Sequence, residues 1–216
     1  NIALLSSILL IVSCGGGGGS SSNVGIALPT PQNGAVGQAV KGVISGATVT
    51  VEDATGAAVA TTGTVTTGAD GSYTLTFTPA EISDGIVGPL VVTMTGGSTV
   101  CDYDNPASAT DDCPVGDGTF ATFGSVYALP AGFVIRGTIA VVPTDSLQAD
   151  PIITVNVNPA SEIASSLALA AAGGAAMTEA NADDANNQVL GLISLITGVD
   201  LSGLKLNEIK LTDAYN

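Results

Sequence analysis

Asp70-Gly71-Ser72-Tyr73-Thr74-Leu75-Thr76-Phe77-Thr78 is the stretch on which the fold turns. Tyr73, Leu75 and Phe77 alternate with Thr74, Thr76 and Thr78, a period of two that puts rings and a leucine on one face of a strand and hydroxyls on the other. Asp70-Gly71 ahead of it is turn chemistry, because Gly reaches positive φ freely and Asp caps its own following backbone. Upstream, Ala47, Val49 and Val51 alternate with Thr48, Thr50 and Glu52. Downstream come Leu90-Val91-Val92-Thr93-Met94, then a longer strand with Phe133, Ile135, Ile139 and Val141 on one face and Arg136 and Thr138 on the other. Ile153, Val155 and Val157 form the last run. The turn signals between them are Asp53-Ala54-Thr55-Gly56, Gly96-Gly97 and Pro130-Ala131-Gly132. About seven short strands spaced by such turns predict an antiparallel β-sandwich of immunoglobulin-like or transthyretin-like type over 36–158. No strand–helix–strand alternation precedes residue 159, and the glycine run 15–19 follows no strand, so a Rossmann-type nucleotide site is not expected.

The C-terminal part changes period. Asn158 and Pro159 open a helix that runs to about Ala172 and stops at Gly173-Gly174. A second helix begins near Thr178, with Val189, Leu192, Ile193 and Ile196 as its apolar stripe before Gly198. Leu201, Leu204, Leu206, Ile209 and Leu211 have no assigned element. The mainly β fold therefore carries a small α-helical appendage over 159–216, and neither helix has the apolar length of a membrane span.

Residues 42–56 and 70–75, Gly42-Val43-Ile44-Ser45-Gly46-Ala47-Thr48-Val49-Thr50-Val51, then Asp53 and Gly56, then Asp70 to Leu75, resemble the carboxypeptidase-regulatory-like group of transthyretin-like and Cna-B-like sandwiches. The resemblance spans roughly 39–95 and implies a stalk, spacer or adhesion module without an active site. Some Cna-B relatives join a Lys to an Asn beside a buried acid. Here that chemistry would fall to Lys41 and Asn156 with Glu52 or Glu81, although Lys41 reads more simply as a solvated strand residue with its charge outside the sheet.

Residues 2–12 are apolar except for Ser6 and Ser7. That run is shorter than the roughly 20 residues of a membrane-spanning helix but has the length of a signal-peptide core. Ile11-Val12-Ser13-Cys14 follows, then Gly15. These four residues resemble the lipobox of bacterial lipoproteins. The resemblance implies a signal peptide over 1–13, cleavage before Cys14, a diacylglycerol on the Cys14 sulfur and, with Gly rather than Asp next, sorting to the outer membrane. The lipid would hold the chain to the membrane, facing the periplasm or the cell surface. Residues 14–35 would then form the lipidated cysteine and a tether, whose Gly15–Asn23 part reaches about 15–18 Å as coil. The chain opens at Asn1 and stops at Asn216 in an unfinished pattern, so a fragment is expected at both ends.

Three cysteines are odd for an exported chain, but setting Cys14 aside leaves Cys101 and Cys113, for which a disulfide is expected in an oxidising compartment. Two free structural thiols are the alternative. Between and beside them lie Asp102, Asp104, Asn105, Asp111, Asp112 and Asp117. Five carboxylates and an amide approach the six to eight oxygens that calcium takes, yet the spacing fits no EF-hand; a solvated acidic loop is the other reading.

Composition bounds the function. Four basic residues face nineteen acidic ones, a formal charge of −15, which excludes nucleic acid as a partner. There is no His, so neither a Ser-His nor a Cys-His nucleophile pair can be assembled, and no pair of acids is singled out for carboxylate catalysis. No cofactor besides the lipid is implied. A non-enzymatic, lipid-anchored adhesion, spacer or assembly module is the expectation. A calcium-dependent module binding a cell-surface protein or glycan through the acidic Cys101–Cys113 loop is the first alternative, and the stalk of a larger secreted enzyme is the second.

Overall fold

The computed structural model describes residues 34–209 apart from 40–41, 85, 87, 104–111, 117 and 142–151. Among these residues eleven strands and three helices follow in chain order: β1 (Gly34–Gln38), β2 (Thr48–Glu52), β3 (Val65–Thr66), β4 (Ser72–Thr76), α1 (Pro79–Asp84), β5 (Leu90–Thr95), β6 (Ser98–Val100), β7 (Cys113–Gly116), β8 (Thr119–Ala121), β9 (Val126–Ala128), β10 (Val134–Ile139), β11 (Ile152–Thr154), α2 (Pro159–Ala172) and α3 (Glu179–Thr197). A three-residue 3-10 turn, Leu206–Glu208, comes last.

Two sheets form the sandwich, one ordered β11-β1-β4 and the other β10-β5-β2-β3. Ala35, Tyr73, Leu75 and Phe77 from the first meet Val49, Val51, Leu90, Val92, Met94 and Ile135 from the second in one buried core. The alternation read from the sequence is therefore the core-facing period: Thr48, Thr50 and Glu52 are exposed while Val49 and Val51 are buried. The mainly β sandwich with a helical addition is the observed architecture, with one departure. The pairing of β1 with β11 is parallel, Gly34 opposite Ile152 and Val36 opposite Thr154, so the sandwich is not wholly antiparallel. The first strand also starts at Gly34, inside the stretch assigned to the tether, and Ala35 is a core residue.

The turns form for the reasons their residues suggest. Asp53 Oδ1 accepts the Thr55 hydroxyl (2.7 Å), the Thr55 N–H (2.8 Å) and the Ala57 N–H (3.0 Å), and the Thr55 hydroxyl foremost holds its carboxyl below the usual range. Asp70 does the same with the Ser72 hydroxyl and N–H. Gly71 is required twice over: its φ is +74°, and a Cβ there would lie 2.7 Å from the Ala39 carbonyl.

The Tyr73 hydroxyl ties β4 to the segment that follows β11, across β1. Buried, and with its pKa pushed far up by that burial, it remains a neutral donor and bonds the Val155 carbonyl oxygen 82 residues away. Tyr73→Phe keeps the ring but leaves that oxygen short of a partner. The expected loss is about 1–2 kcal/mol, read from urea unfolding with an unchanged m-value.

α2 and α3 pack on the outer face of the four-stranded sheet. Asn158 caps α2 in a reciprocal pair with Ser161, whose hydroxyl also donates to the Arg136 carbonyl on β10. The Thr138 hydroxyl donates to Ser165 at 2.7 Å, and Arg136 pairs with Glu162 at 3.0 Å. Val91 packs with Ala168, Met177, Ala182 and Ala185. The boundaries expected for α2 hold, since its caps are local chemistry. Of the stripe expected for α3, Val189 is buried and Ile193 packs beside it, whereas Leu192 and Ile196 are exposed; Ala182, Ala185 and Leu190 complete the buried set. The buried residues lie in the turns that meet α2 and Val91, and the exposed ones lie toward the end of the helix. Val141, expected on the inner face of β10, lies two residues past the strand's end and is exposed.

Candidate functional site

The two short ladders, β6 with β9 and β7 with β8, lie outside both sandwich sheets. An isolated bridge from Ser45 to Ser98 joins them to the body, and Tyr127 and Leu129 pack into its core. Such short ladders are marginal alone. What holds them is covalent: Cys101, just after β6, and Cys113, opening β7, form a disulfide with Cα atoms 5.7 Å apart. The expected pair is therefore present, and both residues are buried.

Backbone bonds weave the rest of this lobe around the staple. The Cys101 N–H donates to Ser125 O at 2.9 Å, and the Gly124 N–H donates to Cys101 O at 2.8 Å. The carbonyl oxygen of Tyr103 lies 3.4 Å from the Cys101 sulfur. Asp112 is only 4% exposed and accepts the Phe123 N–H at 2.6 Å. A buried carboxylate bonded to a main-chain donor is a structural device that fixes the 122–125 turn against β7. Asp102, by contrast, is exposed. Partial burial, and then the charge of Asp102, push the Tyr127 phenol up, so carboxylate and phenol share one neighbourhood.

Of the six oxygen-bearing residues proposed for calcium, Asp102 and Asp112 are described, one exposed and the other engaged with Phe123. Asp104, Asn105, Asp111 and Asp117 lie outside the described residues, as do Cys14 and Lys41. Among the described residues no group of three or more His, Cys, Asp or Glu is placed to hold a metal ion. For the Lys–Asn cross-link, Asn156 is buried and its Oδ1 accepts the Gln38 N–H. Glu52 is exposed, and half-buried Glu81 accepts the Ala60 N–H, so neither is the buried acid that chemistry needs.

The residue type that sequence reasoning passed over is aromatic. Four of the chain's eight Phe and Tyr residues, Tyr103, Phe120, Phe123 and Tyr127, belong to this lobe. Tyr103, Phe120 and Phe123 are 54%, 46% and 60% exposed, in a molecule whose Tyr73 and Phe77 are fully buried. Val100 and Val126, opposite one another across β6 and β9, are exposed as well. The signal was local density: half the rings of an aromatic-poor chain fall between residues 103 and 127. A separate groove of about 420 Å³ lies between the end of α3 and the loop after it, lined by Leu190, Gly191, Ser194, Asp200 and Leu201. Its one carboxylate, Asp200, is engaged with the Ser202 N–H.

No family model, no curated protein and no solved structure matches this chain.

Proposed function

We propose that this chain is a non-enzymatic, lipid-anchored module of the bacterial cell envelope, in which the sandwich serves as a rigid spacer and the stapled lobe as a contact surface for adhesion or assembly. The observation that carries the reading is the Cys101–Cys113 disulfide. A buried disulfide in a small β domain fits an oxidising compartment outside the cytoplasm. It also leaves Cys14 as the remaining cysteine of the sequence, behind an apolar run and in a lipobox-like setting. One acyl chain holds a protein marginally, whereas the two or three of a lipoprotein give stable anchoring. The absence of His and the likeness of 39–95 to stalk-forming sandwiches agree with a role in placement rather than chemistry.

Expressed in a Gram-negative host with its own leader, the chain is expected in the membrane fraction, its intact mass showing cleavage before Cys14 and an added diacylglycerol. Cys14→Ala should move nearly all of it out of that fraction. Membrane association unchanged by Cys14→Ala, or an unmodified thiol with residues 1–13 still attached, sinks the proposal.

A further inference from the structure

Outside the sandwich, the described residues expose large apolar side chains on α2, on the last turns of α3 with the loop after it, and on the stapled lobe. On the lobe, charge adds what shape alone does not. Between Gly42 and Ile135 the sequence holds ten acidic residues and no Lys or Arg. With that run of acids and a formal net charge of −15, the exposed rings sit in a negative field. An aromatic face attracts a cation through its own quadrupole, most often an Arg guanidinium, which also stacks flat on the ring. Rings and field thus select the same partner.

We propose that the stapled lobe binds an arginine-bearing segment of a partner protein, with guanidinium groups stacked on Tyr103, Phe120 and Phe123 and paired with the exposed carboxylate of Asp102. This deepens the contact-surface reading above and rests on it. The rings are held in place before binding. Tyr103 lies two residues from Cys101, with its carbonyl against the Cys101 sulfur. Phe120 precedes Ala121, the residue paired with Cys113. The backbone of Phe123 is bonded to Asp112, the neighbour of Cys113. Three platforms tied to one disulfide lose little freedom on binding, and a Phe or Tyr ring has only two torsions to fix. A neutral glycan can stack on the same rings but draws nothing from the field. An anionic lipid surface is repelled by it.

The test uses the full chain in detergent and a fluorescent seven-residue peptide alternating Gly and Arg, with anisotropy as the readout. The same peptide carrying citrulline, an uncharged isostere, is the first control, and neutral oligosaccharides are the second. The Arg peptide should bind and weaken with salt, while citrulline lowers affinity at least tenfold. Phe120→Leu and Phe123→Leu should each weaken binding about 3- to 30-fold, the range of a stacked cation. Phe123→Tyr, which keeps the ring, should restore it. Asp102→Asn should weaken binding and flatten its salt dependence. Unchanged melting temperatures of these surface variants show that folding is intact. The site is overturned by ring variants that bind like the parent (a bare polyanion), by oligosaccharide binding in place of the Arg peptide, or by no binding at millimolar peptide. A lipidated Cys14 with no peptide bound would sink the site and keep the anchor; an unlipidated Cys14 with peptide bound would do the reverse.

Discussion

Gly37→Ala is expected to destabilise the fold by about 3–5 kcal/mol, lowering the melting temperature by roughly 10–15 °C in a chain of this size. The cause is steric and not conformational, since Gly37 is not among the glycines at positive φ. It sits in β1 opposite Tyr73, and a Cβ built there would lie 1.8 Å from the Val155 carbonyl oxygen and 2.7 Å from the Tyr73 hydroxyl. A side-chain clash can be relieved by a new rotamer; a clash with a main-chain carbonyl cannot. Residues 155–157 would have to leave β1, stretching the bonds from the Val155 N–H to Val36 O and from the Val157 N–H to Gln38 O, now 2.8 and 2.9 Å. Each is worth about 1 kcal/mol net, and the displaced Val155 and Val157 add packing losses. Against a total of about 5–15 kcal/mol for a domain, that is a large fraction. Adding Tyr73→Phe should not rescue the variant, because the shorter contact is with the backbone. A melting temperature within 2 °C or so of the parent would show that β11 does not pack against β1 as described.

That requirement was not legible in the sequence, and the reason is distance. Alternation at 47–52 and 73–77 shows which residues share a face, because side-chain direction in a strand is set by the neighbouring residues alone. The caps at Asn158 and Gly173 were legible for the same reason: each is satisfied within a few residues. Which strand lies beside β1 depends on a pairing across about 118 residues, and nothing in Gly34-Ala35-Val36-Gly37 announces a parallel neighbour. Periodicity gave the stripe of α3 but not how far along the helix its cover extends. Val189 and Ile196 are seven residues apart and share one face, yet Val189 is buried and Ile196 is 74% exposed. The buried positions, Ala182 to Leu190, are those packed against α2, Val91 and Leu206, a matter of tertiary contact that no local pattern carries. At the lobe, the cysteine pair was legible from parity and the acidic loop from composition. The exposed rings were not: Phe120 lies in a strand whose place outside both sheets is a tertiary fact, and Tyr103 and Phe123 lie between strands, where no local period sets burial.

Removing the disulfide is the second large effect, and it should be local. With a sequence separation of 12, Cys101–Cys113 closes a short loop, and chain entropy assigns such a loop about 3 kcal/mol. Neither cysteine belongs to the cluster that fills the sandwich, so the loss falls on the lobe: β6–β9, β7–β8 and the turns between them. In the reduced protein, or in Cys101→Ala with Cys113→Ala, the amide of Phe123 is the sharpest probe, because its donation to buried Asp112 needs β7 held in place. Its hydrogen-exchange protection should fall by roughly two orders of magnitude, which corresponds to about 3 kcal/mol of local opening. Amides of β2 and β5, in the centre of the four-stranded sheet, should keep theirs. Binding of the Arg peptide should weaken in parallel, since the rings lose the backbone that aims them. Equal loss of protection in lobe and sandwich would mean that the staple serves the whole domain; no loss at Phe123 would mean that the two ladders hold without it. A lobe that depends on an oxidised pair to present its contact surface works only where that pair stays oxidised, so the chemistry of the site and the compartment proposed for the chain stand on one bond.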